Sequence, residues 1–284
     1  MNKKKIISAA LAAALIAIIA AVGYLNSKNV IPAGVGEGVM RAVFFDVGYN
    51  DCALFYTKDA SILIGAPDGK CESIVGYMKR CGIKTLDCLI IPDYKYDSCG
   101  GTDLITDNFT VKTILLPLPY DGGKTNYLTI QSKNKTRSET PDIYEGQTYN
   151  AGDMTIEVLS PTGYPSSAKD GGAVVRISYA HKSVLWCANI DSAQEKNVIY
   201  YSSDKVMCDI IKIPSHGSKN SCSDGLLDLA NADYAVISCG KNSYGHPSEE
   251  VMERLTEREM TVVITQSNGT AVFDISAENI EKIK

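Results

Sequence analysis

Several polar loops in this chain directly follow apolar runs, and they carry most of its chemistry-bearing side chains. The first is FFDVGYNDCAL, which places Asp46 and Asp51 around a glycine turn. A second, LDCLIIPDYKYDSCGGTDLI, reads as a buried strand, a polar loop with Asp93, Lys95 and Asp97, and a Gly-Gly pair leading into a helix. WCANIDSAQE holds Asp191, IKIPSHGSKNS holds His216, Ser218 and Lys219, and VISCGKNSYGHPSEEVMERL holds His246. Carboxylates and imidazoles at strand ends are the groups that transfer protons or coordinate metals. A thiol at a helix start, as in Ser98-Cys99-Gly100-Gly101, could act as a nucleophile. No histidine shares that motif, however, and close strand–helix packing accounts for the glycines. Lys124, Lys133, Lys135 and Arg137 form a local basic run that could follow a phosphate backbone or line a solvated helix face. His181, in YAHKSV, falls at an expected hairpin turn and reads as solvated.

Taken in order, these motifs resemble the metallo-β-lactamase superfamily, and specifically the soluble hydrolase domain of ComEC-type competence (DNA-uptake) proteins, over residues 39–275. The family's D-V-G-Q-G-D-A is matched by Asp46, Val47, Gly48 and Asp51. Its P-H-H-G-S is matched by His216, Gly217 and Ser218, its Y-G-H-P by Tyr244 to Pro247, and its closing N-G-T by TQSNGTAVFDI. The resemblance implies an αββα sandwich of mixed α/β (α+β) class and a hydrolase ancestry.

The family's ligand motif, H-x-H-x-D-H before a Gly pair, is altered. Its four positions hold Asp93, Lys95, Asp97 and Ser98, Ser215 replaces the first histidine of P-H-H-G-S, and Asp191 takes the place of the bridging aspartate. By resemblance, Asp93, Asp97, Asp191, His216 and His246 remain as metal ligands, with Asp97, Asp191 and His216 carrying any catalysis; Ser218 and Lys219, beside His216, are placed to contact a phosphate of any substrate that binds. Two readings follow. In one, a single zinc or manganese ion persists, polarising a phosphoryl oxygen and acidifying a bound water. In the other, no metal cofactor is held, because Lys95 replaces it with ion pairs to the aspartates, while His216 and His246 hydrogen-bond loop backbone. Two unit charges about 4 Å apart interact by roughly 4 kcal/mol at an effective dielectric near 20, and a divalent ion doubles that, so an ammonium there repels metal. A buried carboxylate cluster needs some cation.

The elements that would position these loops follow from β-branched and aromatic runs between Gly, Asp and Asn punctuation. About a dozen strands are expected: MRAVFFDV, CALFYT, SILIG, LDCLIIP, VKTILLP, MTIEVLS, AVVRISYA, SVLWCAN, VMCDIIKIP, YAVISC, TVVIT and TAVFDI. Helices are expected over residues 72–81, 101–107, 125–132, 192–201, 224–230 and 248–257, the last with Ser248 as its cap. Hairpins are expected to dominate the first half of the chain and strand–helix alternation the second.

Lys3, Lys4 and Lys5 precede an uncharged stretch over residues 6–25, long enough to cross a bilayer as a helix. Lysines on its N-terminal side keep that end in the cytoplasm. The expected organisation is therefore a membrane helix over 1–25, a tether over 26–38 and one domain over 39–284, anchored by a single pass at the cell membrane with the domain extracytoplasmic. Ala21-Val22-Gly23 keeps open the alternative of secretion after signal cleavage. No second long apolar run follows, so transport by this chain itself is not expected. A net charge of -5 disfavours nonspecific coating of nucleic acid, which leaves nucleic acid or a cell-envelope component as partners for a local patch, and no nucleotide cofactor is expected. Nine cysteines with no C-x-x-C spacing, four of them (Cys88, Cys187, Cys208, Cys239) in apolar runs, read mostly as buried core thiols.

Overall fold

Side chains alternate with a period of two along the strands between two apolar clusters, and this fixes two layers of sheet. Met40, Ala42 and Phe44 point into one apolar cluster together with Phe55, Ile62, Ile177, Val184, Trp186 and Phe273. Leu185 and Cys187 face the other way, into a second cluster with Val198, Leu226, Val251 and Leu255 from helices. A strand buried on both faces must be covered by another sheet on one side and helices on the other. The computed structural model describes residues 33–134, 138–166 and 171–284. The expected membrane helix and residues 26–32 of the tether, with Lys135 and Arg137 of the basic run, lie outside the described residues. Among the described residues no helix is long and apolar enough to cross a membrane.

The first sheet begins as an antiparallel meander of β1 (Met40–Phe44), β2 (Ala53–Tyr56) and β3 (Ser61–Ile64). It continues in parallel through α1 (Cys71–Arg80), β4 (Thr85–Ile90), α2 (Tyr96–Cys99), α3 (Thr102–Asn108) and β5 (Thr110–Pro117). Helix α4 (Lys124–Ser132) then leads to a short parallel strand, β6 (Asp142–Ile143). The second sheet repeats the plan. An antiparallel meander of β7 (Thr148–Ala151), β8 (Met154–Ser160), β9 (Val174–Tyr179) and β10 (Lys182–Trp186) comes first. Parallel strands β11 (Ile210–Lys212), β12 (Tyr234–Ile237) and β13 (Thr261–Ile264) follow, reached through α5 (Ser192–Val206), α6 (Asp224–Ala230) and α7 (Glu249–Glu257). After α8 (Thr265–Asn268), β14 (Ala271–Ile275) and β15 (Ile280–Lys282) return to the first sheet beside β1. The strand orders are β15-β14-β1-β2-β3-β4-β5-β6 and β13-β12-β11-β10-β9-β8-β7.

Hairpins and crossovers are therefore not divided between the two halves of the chain, as the sequence reading expected. Each sheet contains both, meander first. The expected helices form within a few residues of their sequence bounds, and Ser248 caps α7 by accepting from the Val251 amide. Strands β6, β7 and β15 escaped the sequence reading because they are short and half exposed. Trp186 anchors the space between the sheets, stacked 6.5 Å from Phe44, which meets Phe55 and Phe273 edge-on. All nine cysteines are free thiols, and all but Cys81 are buried, so Cys88, Cys187, Cys208 and Cys239 behave as the core residues their apolar contexts suggested.

Candidate functional site

Five loops leave the carboxyl ends of β1, β4, β10, β11 and β12 and meet at one edge of the sandwich, where α/β sheets form their binding crevices. Backbone crowding brings them together. A Cβ on Gly217, which has φ +79, would lie 2.7 Å from the Pro247 side chain, and one on Gly240 would overlap the Gly48 backbone. The Asp46 amide donates to the Thr270 hydroxyl, joining the D-V-G turn to the N-G-T segment. Motifs far apart in sequence are thus neighbours in space.

Two buried polar links cross from one sheet to the other. Asp93, 1% exposed, accepts on one oxygen from the Lys95 backbone amide at 2.8 Å and on the other from the Asn189 side-chain amide at 2.9 Å. Lys212 of β11, fully buried, forms an ion pair with Asp51 and donates to the Cys187 carbonyl at 3.3 Å. Its ammonium also lies 5.0 Å from the Trp186 ring centre, where the ring face attracts a cation. Asp51 keeps one oxygen without a hydrogen-bond partner, facing His216 Nδ1 at 3.8 Å.

The histidines are held by protein partners. His216 Nδ1 lies 2.8 Å from the Ser238 carbonyl, an acceptor, so that nitrogen carries the proton. Ser215 and His216 both adopt left-handed backbone; the Ser215 hydroxyl, which donates to the Ile190 carbonyl at 2.7 Å, helps fix this strained turn. Tyr49 OH meets His246 Nδ1 at 2.5 Å. Burial first, then the charges of Cys239, Tyr244, Asp51 and Asp97, push the Tyr49 phenol up to about 12. It therefore stays protonated, and it shares one hydrogen bond with the His246 imidazole. Burial first, then His216, lowers the His246 pKa.

That shift has a sign. The unfolded chain protonates first, so the contribution of His246 to stability is fully present above its unfolded value of 6.5 and is lost as pH falls from there through the lower folded value. Thermal melting as a function of pH should show this loss. In His246→Gln the slope in that window should be shallower, and an unchanged slope would contradict the assignment.

The other sequence-derived candidates are more dispersed. Asp97 sits at the start of α2, half-buried, accepting a long 3.4 Å bond from Ser98; burial first, then Asp93, raises its pKa, while Lys95 and His216 oppose the rise. The Lys95 side chain is exposed, near enough to bias Asp97 but not buried among the carboxylates. Asp191 caps α5, accepting from the Ala193 and Gln194 amides. Ser218 accepts from the Asn220 amide within its turn, and Lys219 is exposed beside Glu250. Burial pushes the Cys99 thiol up to about 12, with Asp93 and Asp97 adding to it, so Cys99 is a neutral thiol rather than a nucleophile.

Lys212, Asn189, Tyr49 and Asp51 were missed as interacting site residues. A lysine inside IIKIP, an otherwise apolar strand, was a signal for the first. Asn189 was visible only as a departure from the residue expected before Asp191.

Most of this donor set is engaged by protein partners. Both Asp93 oxygens accept from N–H donors, Asp191 caps a helix, Lys212 neutralises Asp51, and His246 Nδ1 is engaged by Tyr49. Among the described residues no three His, Cys, Asp or Glu side chains are grouped to hold an ion.

The two sheets with helices outside define a metallo-β-lactamase fold. The same architecture is found in the metallo-β-lactamase-fold protein YhfI of Bacillus subtilis, at a TM-score of 0.54 and 15% identity over 82% of this chain and 98% of that one. In sequence the chain is similar to ComE operon protein 3 of Bacillus subtilis, 24% identical over 202 residues, which is 70% of this chain and 26% of that protein. It is also similar to Competence protein ComA of Neisseria gonorrhoeae, 21% identical over 275 residues, 93% of this chain and 36% of the relative. The resemblance to ComEC-type competence proteins within the metallo-β-lactamase superfamily therefore holds, and the chain spans about a quarter to a third of the length of these relatives. No protein-family model matches it.

Proposed function

We propose that this protein is a non-hydrolytic binding module that keeps the cleft of its hydrolase relatives and uses it to hold nucleic acid on the outer side of the cell membrane. One observation carries the reading. The buried carboxylates of the cleft are held across it by protein donors: Asn189 donates to Asp93, one of the candidate ligands, and Lys212 pairs with Asp51. Buried carboxylates are costly unless paired, and here protein donors do the pairing, so no metal is needed to offset that cost. The competence relatives favour nucleic acid over an envelope component as partner. Lys3 to Lys5 and the apolar residues 6–25 support the anchor and its orientation.

A second reading, a mononuclear phosphodiesterase, is favoured by Asp97, whose hydrogen bond from Ser98 is long, and by the lone pair left on His216 Nε2. Incubating the protein with labelled single-stranded DNA in zinc or manganese separates the two. The proposed module retains the strand intact. Cleavage that Asp97→Ala and His216→Ala both abolish would establish the phosphodiesterase instead.

A further inference from the structure

The loop between β12 and α7 holds a large ring out in solvent. Tyr244 is 72% exposed, yet its loop is rigidly built. Asn242 uses its side-chain amide nitrogen to reach the Gly240 and His246 carbonyls, at 2.9 and 2.8 Å, and its oxygen accepts from the Tyr244 and His246 amides, both at 3.0 Å. That is the bonding of a residue dedicated to one loop conformation. Burial of Tyr244 gives no reason for it.

The rigid loop continues a series of rings. Tyr244 lies 5.5 Å from Tyr49 with planes tilted by 33°, and 5.9 Å from His246 at 31°. Tyr49 in turn lies 4.3 Å from His216 and 6.0 Å from His246, nearly parallel to the latter at 20°. The inner members are fixed by the Tyr49–His246 and His216–Ser238 hydrogen bonds. The aromatic series therefore runs from the buried site to the solvent and ends in a ring that is mostly uncovered. Exposed lysines stand on loops at the same edge of the sandwich: Lys95 after β4, Lys219 after β11, and Lys241 next to Asn242.

We propose that Tyr244, backed by Tyr49 and His246, is a stacking platform for a base of single-stranded nucleic acid at the mouth of the cleft, with the loop lysines facing its phosphates. Every base has a π-face, so such a platform binds strands with little sequence preference. Because the loop is ordered before binding, little conformational entropy is lost on engagement. This inference rests on the nucleic-acid reading above and adds the site.

The test uses full-length protein and a short fluorescein-labelled oligothymidylate, read by fluorescence anisotropy. Tyr244→Ala should bind roughly 10- to 100-fold more weakly, while Tyr244→Phe, which keeps the ring, should bind as the unaltered protein does. Thermal melting of both variants checks that the fold is intact. Equal binding by Tyr244→Ala and the unaltered protein would overturn the platform and leave nucleic-acid binding standing. If the unaltered protein fails to bind the oligonucleotide, the underlying reading falls and the platform with it. Capture of a neutral chito-oligosaccharide in its place, lost in Tyr244→Ala, would assign the rings to an envelope glycan and overturn the proposal.

Discussion

Lys212→Met is expected to destabilise the protein by about 3–5 kcal/mol, the cost of leaving a buried carboxylate without its partner. Methionine keeps the unbranched apolar stem, so little packing is lost against Trp186. What disappears is the ammonium that neutralises Asp51, in a place where both side chains are almost fully excluded from water. The other Asp51 oxygen has no hydrogen bond to compensate. Because Asp51 precedes β2 in one sheet and Lys212 ends β11 in the other, the loss falls on the seam that closes the sandwich at the cleft. Removing both charges, as in Asp51→Leu with Lys212→Met, should recover most of the stability, since apolar replacements of a buried ion pair are often neutral. Chemical denaturation of the single and double variants measures both effects. A single variant as stable as the unaltered protein would show that Asp51 does not depend on Lys212.

Gly65→Ala should cost a similar amount, about 3–5 kcal/mol, for a different reason. Gly65 follows β3 with φ +80, and a Cβ there would overlap the Asp51 carbonyl oxygen. The strand cannot give way easily, because the Gly65 amide donates to the Ile90 carbonyl at 2.9 Å and its own carbonyl accepts from the Cys52 thiol. Relief must therefore come from the Asp51 loop, which would carry the carboxylate away from Lys212. Gly38→Ala is the control: φ is +68 there but no atom lies within 4 Å of the added Cβ, so only backbone strain of about 1–2 kcal/mol remains. Equal losses at the two positions would show that the crowding around Asp51 is not tight.

These residues mark where the sequence was and was not legible. The strands facing both a sheet and a layer of helices read clearly, because runs such as SILIG and VMCDIIKIP are apolar on both faces. Capped helices read clearly as well: Ser248 before two glutamates placed α7 to within a residue. The ordered D-V-G, H-G-S and Y-G-H-P motifs located the loops that converge at the cleft. What the sequence did not reveal was partnership. Asp191 has the chemistry of a ligand and serves as a helix cap, while Lys95, drawn from the altered motif, stays exposed. The buried cation of the cleft is Lys212, more than a hundred residues further on, and only the pairing of the two sheets brings it to Asp51. A tertiary contact between distant strands leaves no local trace, and loop polarity alone does not tell which carboxylates face inward.

A cleft whose buried carboxylates, Asp93 and Asp51, are already held by protein donors should retain little metal. Elemental analysis of the full-length protein, purified without chelator, incubated with zinc and manganese and then desalted, tests it most directly. Clearly less than one metal ion per chain is expected. One equivalent retained, and lost in Asp97→Ala or His216→Ala, would contradict it.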